Sequence, residues 1–138
     1  MTDHIHCTLS PDQMQTVSEL ALAHVGDAVF ELLVRQELCC RGSAQMKELH
    51  RQTVARVTAP AQAELVARIL PHLTPEETAV YKRGRNTHTH AAPKSATPGQ
   101  YARATGLETL FGWLWLTGRY DRVNALYDLG KETEAHAP

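Results

Sequence analysis

Two stretches constrain the fold more than any other part of the chain: LALAHVGDAVFE at 20–31 and ATGLETLFGWLWL at 104–116. Each reads as the interior of a buried helix, yet each carries an acid beside glycine: Asp27 after Gly26, and Glu108 between Gly106 and Gly112. Glycine and aspartate are both poor helix-interior residues. A carboxylate among Leu, Ala, Val and Phe must find a hydrogen-bond, charge or metal partner, or lose its charge. Either acid alone reads as a surface residue facing water. Two of them, in the two most hydrophobic helices, point instead to a site. If those helices pack together, Asp27 and Glu108 meet at the mouth of the core, where they repel unless they share a proton or a cation. Mg²⁺ suits such a pair, because it takes one or two carboxylates and completes its octahedron with water and phosphate oxygens. The neighbouring glycines would leave room for a phosphate backbone to approach. Glu31 lies one turn after Asp27, but Arg35 follows at i+4 and offers it an ordinary ion pair.

Helix signals are dense along the rest of the chain. Ser10-Pro11-Asp12-Gln13 is a capping box with proline at the first helical position, predicting a helical region to about Cys40, bent or interrupted near Gly26. Gly42 closes it, and Ser43 starts a segment whose apolar face is Met46, Leu49, Val54 and Val57. APAQAELVARIL predicts another helix, closed by Pro71, and Thr74-Pro75-Glu76-Glu77 opens one running to about Arg83. A Pro/Thr/His-containing loop over 84–99 leads to a long helix opened by Pro98 and ended near Gly118, and a short last helix precedes a polar tail. No hairpin turns separate alternating runs. The expectation is an all-α fold, one domain over 1–138 with its core from about 14 to 130, and a loop long enough to be functional or disordered.

Charge distribution says more than the net charge of −1. From Thr78 to Leu107 there is no Asp or Glu, while Lys82, Arg83, Arg85, Lys94 and Arg103 are basic. Of the 14 Lys and Arg, these five leave nine against all 15 Asp and Glu. A basic segment inside an acidic protein is either a solvated loop or an anion-binding strip. KRGRN at 82–86 reads as a helix end whose glycine caps it and whose cations serve as anion-contacting arms. His88 and His90 lack a third nearby ligand and read as polar contacts rather than a zinc site. Trp113 and Trp115 read as core or subunit-interface residues. Cys7, Cys39 and Cys40 make an odd count without ligand spacing, consistent with reduced thiols in a cytosol. The first residues lack the apolar core of a secretory signal, and no apolar run approaches a membrane span.

Four motifs in order, LAxxGDAVxE, RGRN, a following Pro-Lys and YxxATGxExLxGxLxL, resemble the Mini-III ribonucleases, short bacterial members of the ribonuclease III family with a catalytic domain only. The resemblance runs from about Leu20 to Leu126. It implies the ribonuclease III endonuclease-domain helical fold, with Asp27 and Glu108 as the catalytic, Mg²⁺-binding carboxylates. The wider family places a further Glu four residues before this Asp, where the chain has Ala23. It also places an Asp three residues before this Glu, where the chain has Thr105. The resemblance further implies a homodimer whose two sites face one duplex, with His24 at the place of a subunit-contact aromatic. Lys82, Arg83, Arg85, Asn86, Lys94, Arg103, His88 and His90 become candidate contacts to double-stranded RNA. The implied task is maturation of the 23S ribosomal RNA precursor, in the cytoplasm and in a pre-ribosome or ribosomal-protein context, leaving 5′-phosphate and 3′-hydroxyl ends with a short 3′ overhang. The rival expectations are a non-catalytic helical RNA-binding or ribosome-associated module of the same fold, and a purely structural dimerisation domain.

Overall fold

The computed structural model describes residues 1–42, 45–87 and 95–131. Among them every regular element is a helix: α1 Pro11–Met14, α2 Glu19–Cys40, α3 Met46–Val57, α4 Ala59–Ile69, α5 Pro75–Arg85, α6 Pro98–Leu116 and α7 Tyr120–Gly130. A 3₁₀ turn, Leu70–His72, follows α4. The fold is all-α, as the helix signals imply.

The Ser10 capping box is present, but it opens only the four residues of α1. The chain then breaks, and Ser18 caps α2 by accepting from the Ala21 N–H. The hydroxyl of β-branched Thr16 donates to Gln13 O at 2.7 Å, an alternative to continuing the helix. From Ser18 onward α2 runs unbroken through Gly26, so the expected bend there is absent. Gly42 does end the segment, at φ +87°. The apolar face expected for α3 is wrong by part of a turn. Met46 and Val54 are 74% and 45% exposed, whereas Thr53 is buried and Leu49 and Val57 pack against the core. Thr53 can go inside because its hydroxyl donates to Leu49 O at 2.8 Å.

Helix α6 is the axis of the molecule, packed against α2, α5, α4 and α7. From Ala104 to Leu114 every residue except Glu108 is buried. Phe111, Leu107, Leu110 and Leu114 meet Phe30 and Val34 of α2 in the core. Trp113 lies in this core and Trp115 packs against it. Cys7, Cys39 and Cys40 are free thiols on the surface.

Away from α6, Glu37 ties α2 to α3 and α7. Its Oε1 accepts from the Tyr127 hydroxyl at 2.6 Å and from Arg56 at 3.0 Å. Its Oε2 faces Arg41 at 2.7 Å and Lys131 at 3.5 Å. Burial works against the Glu37 charge, but these hydrogen bonds and cations outweigh it and hold the carboxyl at about 2. A carboxyl lowered in the folded state contributes stability above its unfolded value of 4.5 and loses it as pH falls towards 2. Glu37→Gln is therefore expected to flatten the acid limb of stability in that window and to cost about 2 kcal/mol at neutral pH. Urea unfolding from pH 2 to 7 measures both; an unchanged acid limb would remove Glu37 from the account.

Candidate active site

The two acids meet because of a backbone contact. A Cβ on Gly26 would lie 1.6 Å from the Glu108 carbonyl oxygen, and one on Gly112 would lie 1.9 Å from the Leu22 carbonyl oxygen. Only glycine lets α2 lie directly on α6 here. Gly26 is thus filled by helix and leaves no gap for a phosphate, which corrects the role expected from sequence. The contact places Asp27, the next residue, where its carboxyl hydrogen-bonds that of Glu108. Asp27 is exposed and Glu108 half-buried, so the pair sits at the edge of the core with one side open.

Burial, then the charge of Asp27, then the bond between the two carboxyls push Glu108 up to about 8. The side chain of Gln62, from α4, pulls the other way. Sequence reasoning missed Gln62; its only trace is a polar residue within the apolar face of AQAELV. Glu31 forms the expected ion pair with Arg35. Both line a shallow groove with Asp27, Ala28 and Leu32. His24 is exposed on the same helix.

The basic strip begins in the last turn of α5, where KRGRN was expected to end a helix. Helix α5 continues to Arg85, and Asn86 rather than Gly84 is the capping residue. Gly84 is there because α5 lies against Thr109: a Cβ on it would come within 2.3 Å of the Thr109 hydroxyl. Lys82, Arg83, Asn86 and Arg103 are exposed. Arg83 pairs with Glu19 at 3.2 Å. Arg85 lies over the Tyr81 ring, 5.8 Å from its centroid, and donates to Asn86 Oδ1 at 3.2 Å. Burial raises the Tyr81 phenol, while the charges of Arg85 from α5 and Arg103 from α6 act against that rise. His88, His90 and Lys94 lie outside the described residues.

With this geometry in place, comparison with known proteins is decisive. The Ribonuclease III domain family matches residues 20–119. The Mini-ribonuclease 3 of Symbiobacterium thermophilum is 44% identical over 109 residues, covering 79% of this chain and 84% of that one. The Mini-ribonuclease 3 of Synechocystis is 42% identical over 120 residues, covering 84% and 81%. The chain belongs to the Mini-ribonuclease 3 branch of the ribonuclease III family. A crystal structure of a Fusobacterium nucleatum protein shares the fold, with a TM-score of 0.77 at 28% identity, covering 84% of this chain and 93% of that chain.

The two departures from the wider ribonuclease III pattern leave no gaps in this Mini-ribonuclease 3 relative. Ala23 is 7% exposed and belongs to the core. Thr105 is buried and donates its hydroxyl to Tyr101 O at 3.1 Å within its own helix. Among the described residues no three His, Cys, Asp or Glu side chains gather where one ion could be held. Two carboxyls are what the protein offers, and they fit a hard divalent cation. Both present oxygen, and the repulsion that lifts Glu108 is what a cation between them would relieve.

Proposed function

We propose that this endoribonuclease of the ribonuclease III type cuts double-stranded RNA at the Asp27–Glu108 pair with Mg²⁺, and that its substrate is the 23S ribosomal RNA precursor. The observation that carries the reading is Glu108: the one accessible residue in an otherwise buried stretch of α6, set against a second acid. Burying a carboxyl beside another carboxyl costs stability and suits a cation-binding, hydrolytic site.

Asp27 and Glu108 are the residues that would hold Mg²⁺. When bound, such an ion supplies a water of lowered pKa and charge stabilisation at the phosphate. The half-buried floor around Glu108 limits solvent on one side of the pair, while exposed Asp27 leaves the other side open to the scissile phosphate. Phosphate contacts along the duplex are assigned to Lys82, Arg83, Arg85, Asn86 and Arg103, and from the sequence alone to Lys94, His88 and His90. Duplex RNA is read through shape, 2′-hydroxyls and phosphates, so cations rather than base-reading side chains suffice. A homodimer, with His24 at the contact between subunits, would present two such pairs to one duplex, each cutting one strand. The products are 5′-phosphate and 3′-hydroxyl ends with a short 3′ overhang. A cytoplasmic, pre-ribosomal setting fits that substrate; among the described residues no helix is long and apolar enough to cross a membrane.

The test is cleavage of a duplex from the ends of the 23S precursor, with Mg²⁺ and with EDTA, followed by end mapping. Staggered cuts that vanish with EDTA are expected, from a protein that runs as a dimer by mass. Retardation of the duplex without cleavage under any divalent metal would instead make this a non-catalytic RNA-binding module.

A further inference from the structure

The sequence from Thr78 to Leu107 holds no acid, but the fold brings one to its edge. Arg83, in the last turn of α5, donates from Nε to Glu19 Oε1 at 3.2 Å, across 64 positions of chain. Of the described strip cations Lys82, Arg83, Arg85 and Arg103, Arg83 alone is paired with an acid. Glu19 opens α2, the helix that carries Asp27. At about 1.5 Å per helical residue, Glu19 lies about 12 Å from Asp27 along the helix axis.

The backbones on both sides of this contact are fixed. Thr109 of α6, fully buried, donates its hydroxyl to Thr105 O at 2.8 Å and to Glu19 O at 3.4 Å. The same side chain lies against Gly84, the neighbour of Arg83. One buried threonine thus seats α2 at Glu19 and α5 at Gly84, and the fold itself sets Glu19 opposite Arg83. The two charged side chains stay in water, at 37% and 56% exposure. An ion pair this exposed adds little to stability. Its effect falls on RNA instead. A phosphate approaching Arg83 meets a carboxylate that already holds the guanidinium and repels the incoming charge.

We propose that Glu19 is a positioning residue that competes with RNA for Arg83. Its carboxylate holds the guanidinium in the free protein and gives way to a backbone phosphate when duplex RNA binds. The contact is made by exchange, so each turnover starts and ends with Arg83 on Glu19, which weakens the hold on substrate and product alike. This rests on the proposed role of the basic strip in RNA binding. Breaking an exposed pair of this kind typically costs a factor of about 2 to 5 in equilibrium.

The test is duplex RNA binding by gel shift without metal, for wild type, Glu19→Gln, Arg83→Gln and the double variant. Glu19→Gln keeps the side chain's shape and removes its charge. It is expected to tighten binding about 2- to 5-fold at low salt, with the gain fading as added salt screens the pair. Arg83→Gln is expected to weaken binding, and adding Glu19→Gln to it to bring no gain. In cleavage with Mg²⁺, Glu19→Gln lowers KM by a similar factor and does not raise kcat. Glu19→Asp withdraws the carboxylate by one methylene and is expected to give part of the gain; it serves as the test if Glu19→Gln does not fold. Binding left unchanged or weakened by Glu19→Gln overturns the proposal. A gain that persists in the Arg83→Gln background overturns it too, since that is a general effect of charge. If Arg83→Gln weakens binding and Glu19→Gln does not tighten it, the competition falls and the strip stands as an RNA contact. If Arg83→Gln leaves binding unchanged, both fall at this residue.

Discussion

Asp27→Asn is expected to lower cleavage of double-stranded RNA by about a thousand-fold while leaving the fold as stable as wild type or more so. The two effects have one cause. Asp27 is exposed and buries little of its own, yet its charge helps to push Glu108 up to about 8. Removing that charge relieves a repulsion in the metal-free protein, so the melting temperature stays level or rises. The same substitution takes one of two carboxylates from the cation. Charge stabilisation of this kind is worth several kcal/mol, and each 1.4 kcal/mol is a factor of ten in rate, hence about a thousand-fold. Glu108→Gln is expected to lose activity equally, and the double variant to lose little more, since the two acids act as one unit. Initial rates on a fixed duplex, paired with thermal melts, give both quantities. A variant that melts earlier yet cuts normally would mark Asp27 as a structural acid and remove the proposed mechanism.

Much of this was legible in the sequence, and what was not has physical reasons. Helix order followed from capping boxes and prolines, which act over four residues and need no knowledge of the rest of the fold. All three boxes with proline that the structure contains, at Ser10, Thr74 and Thr97, open helices. How far a helix runs is a different matter. Helix α1 stops after four residues and α5 continues through Gly84, because Ser18 recaps the chain and Thr109 lies against Gly84. Thr109 is remote in sequence from the boundary it affects, and Ser18, though only four residues beyond Met14, lacks the proline and the glutamine or glutamate that mark the other caps. The buried face of α3 was misjudged because a threonine that donates to its own backbone counts as apolar once folded. The acid pair could be read because two local anomalies pointed at each other. Gln62 could not, since a single polar residue within an apolar face does not say that it acts on a carboxyl 46 residues later.

Gly26 is the residue whose meaning changed most, and Gly26→Ala is the second large effect. Helix propensity alone would have alanine stabilise α2 by up to about 1 kcal/mol. The contact says otherwise. The added methyl would lie 1.6 Å from the Glu108 carbonyl oxygen, 2.6 Å from its carbon and 2.7 Å from the Gly112 nitrogen. Carbon atoms in good contact sit about 3.5–4.0 Å apart, so the helices must separate by about 2 Å. These are backbone atoms locked in helical hydrogen bonds, and no rotamer change can move them aside. Overpacking a core costs about 1–3 kcal/mol even where side chains can yield, and here α6 would also draw away from Leu22, Phe30 and Val34. A net loss of about 3 kcal/mol, or roughly 10 °C in melting temperature, is expected. Asp27 moves with the helix, so cleavage falls with stability, in contrast to Asp27→Asn, where the two part company. Gly99→Ala is the matched control: a Cβ there meets nothing nearer than the Arg103 guanidinium at 3.9 Å. Stability there is expected to hold or rise by up to about 1 kcal/mol. Thermal melts of the pair decide the matter: were Gly26→Ala to melt at or above wild type, α2 and α6 would not touch at Gly26, and the explanation of how two acids 81 positions apart are brought together would fail with it.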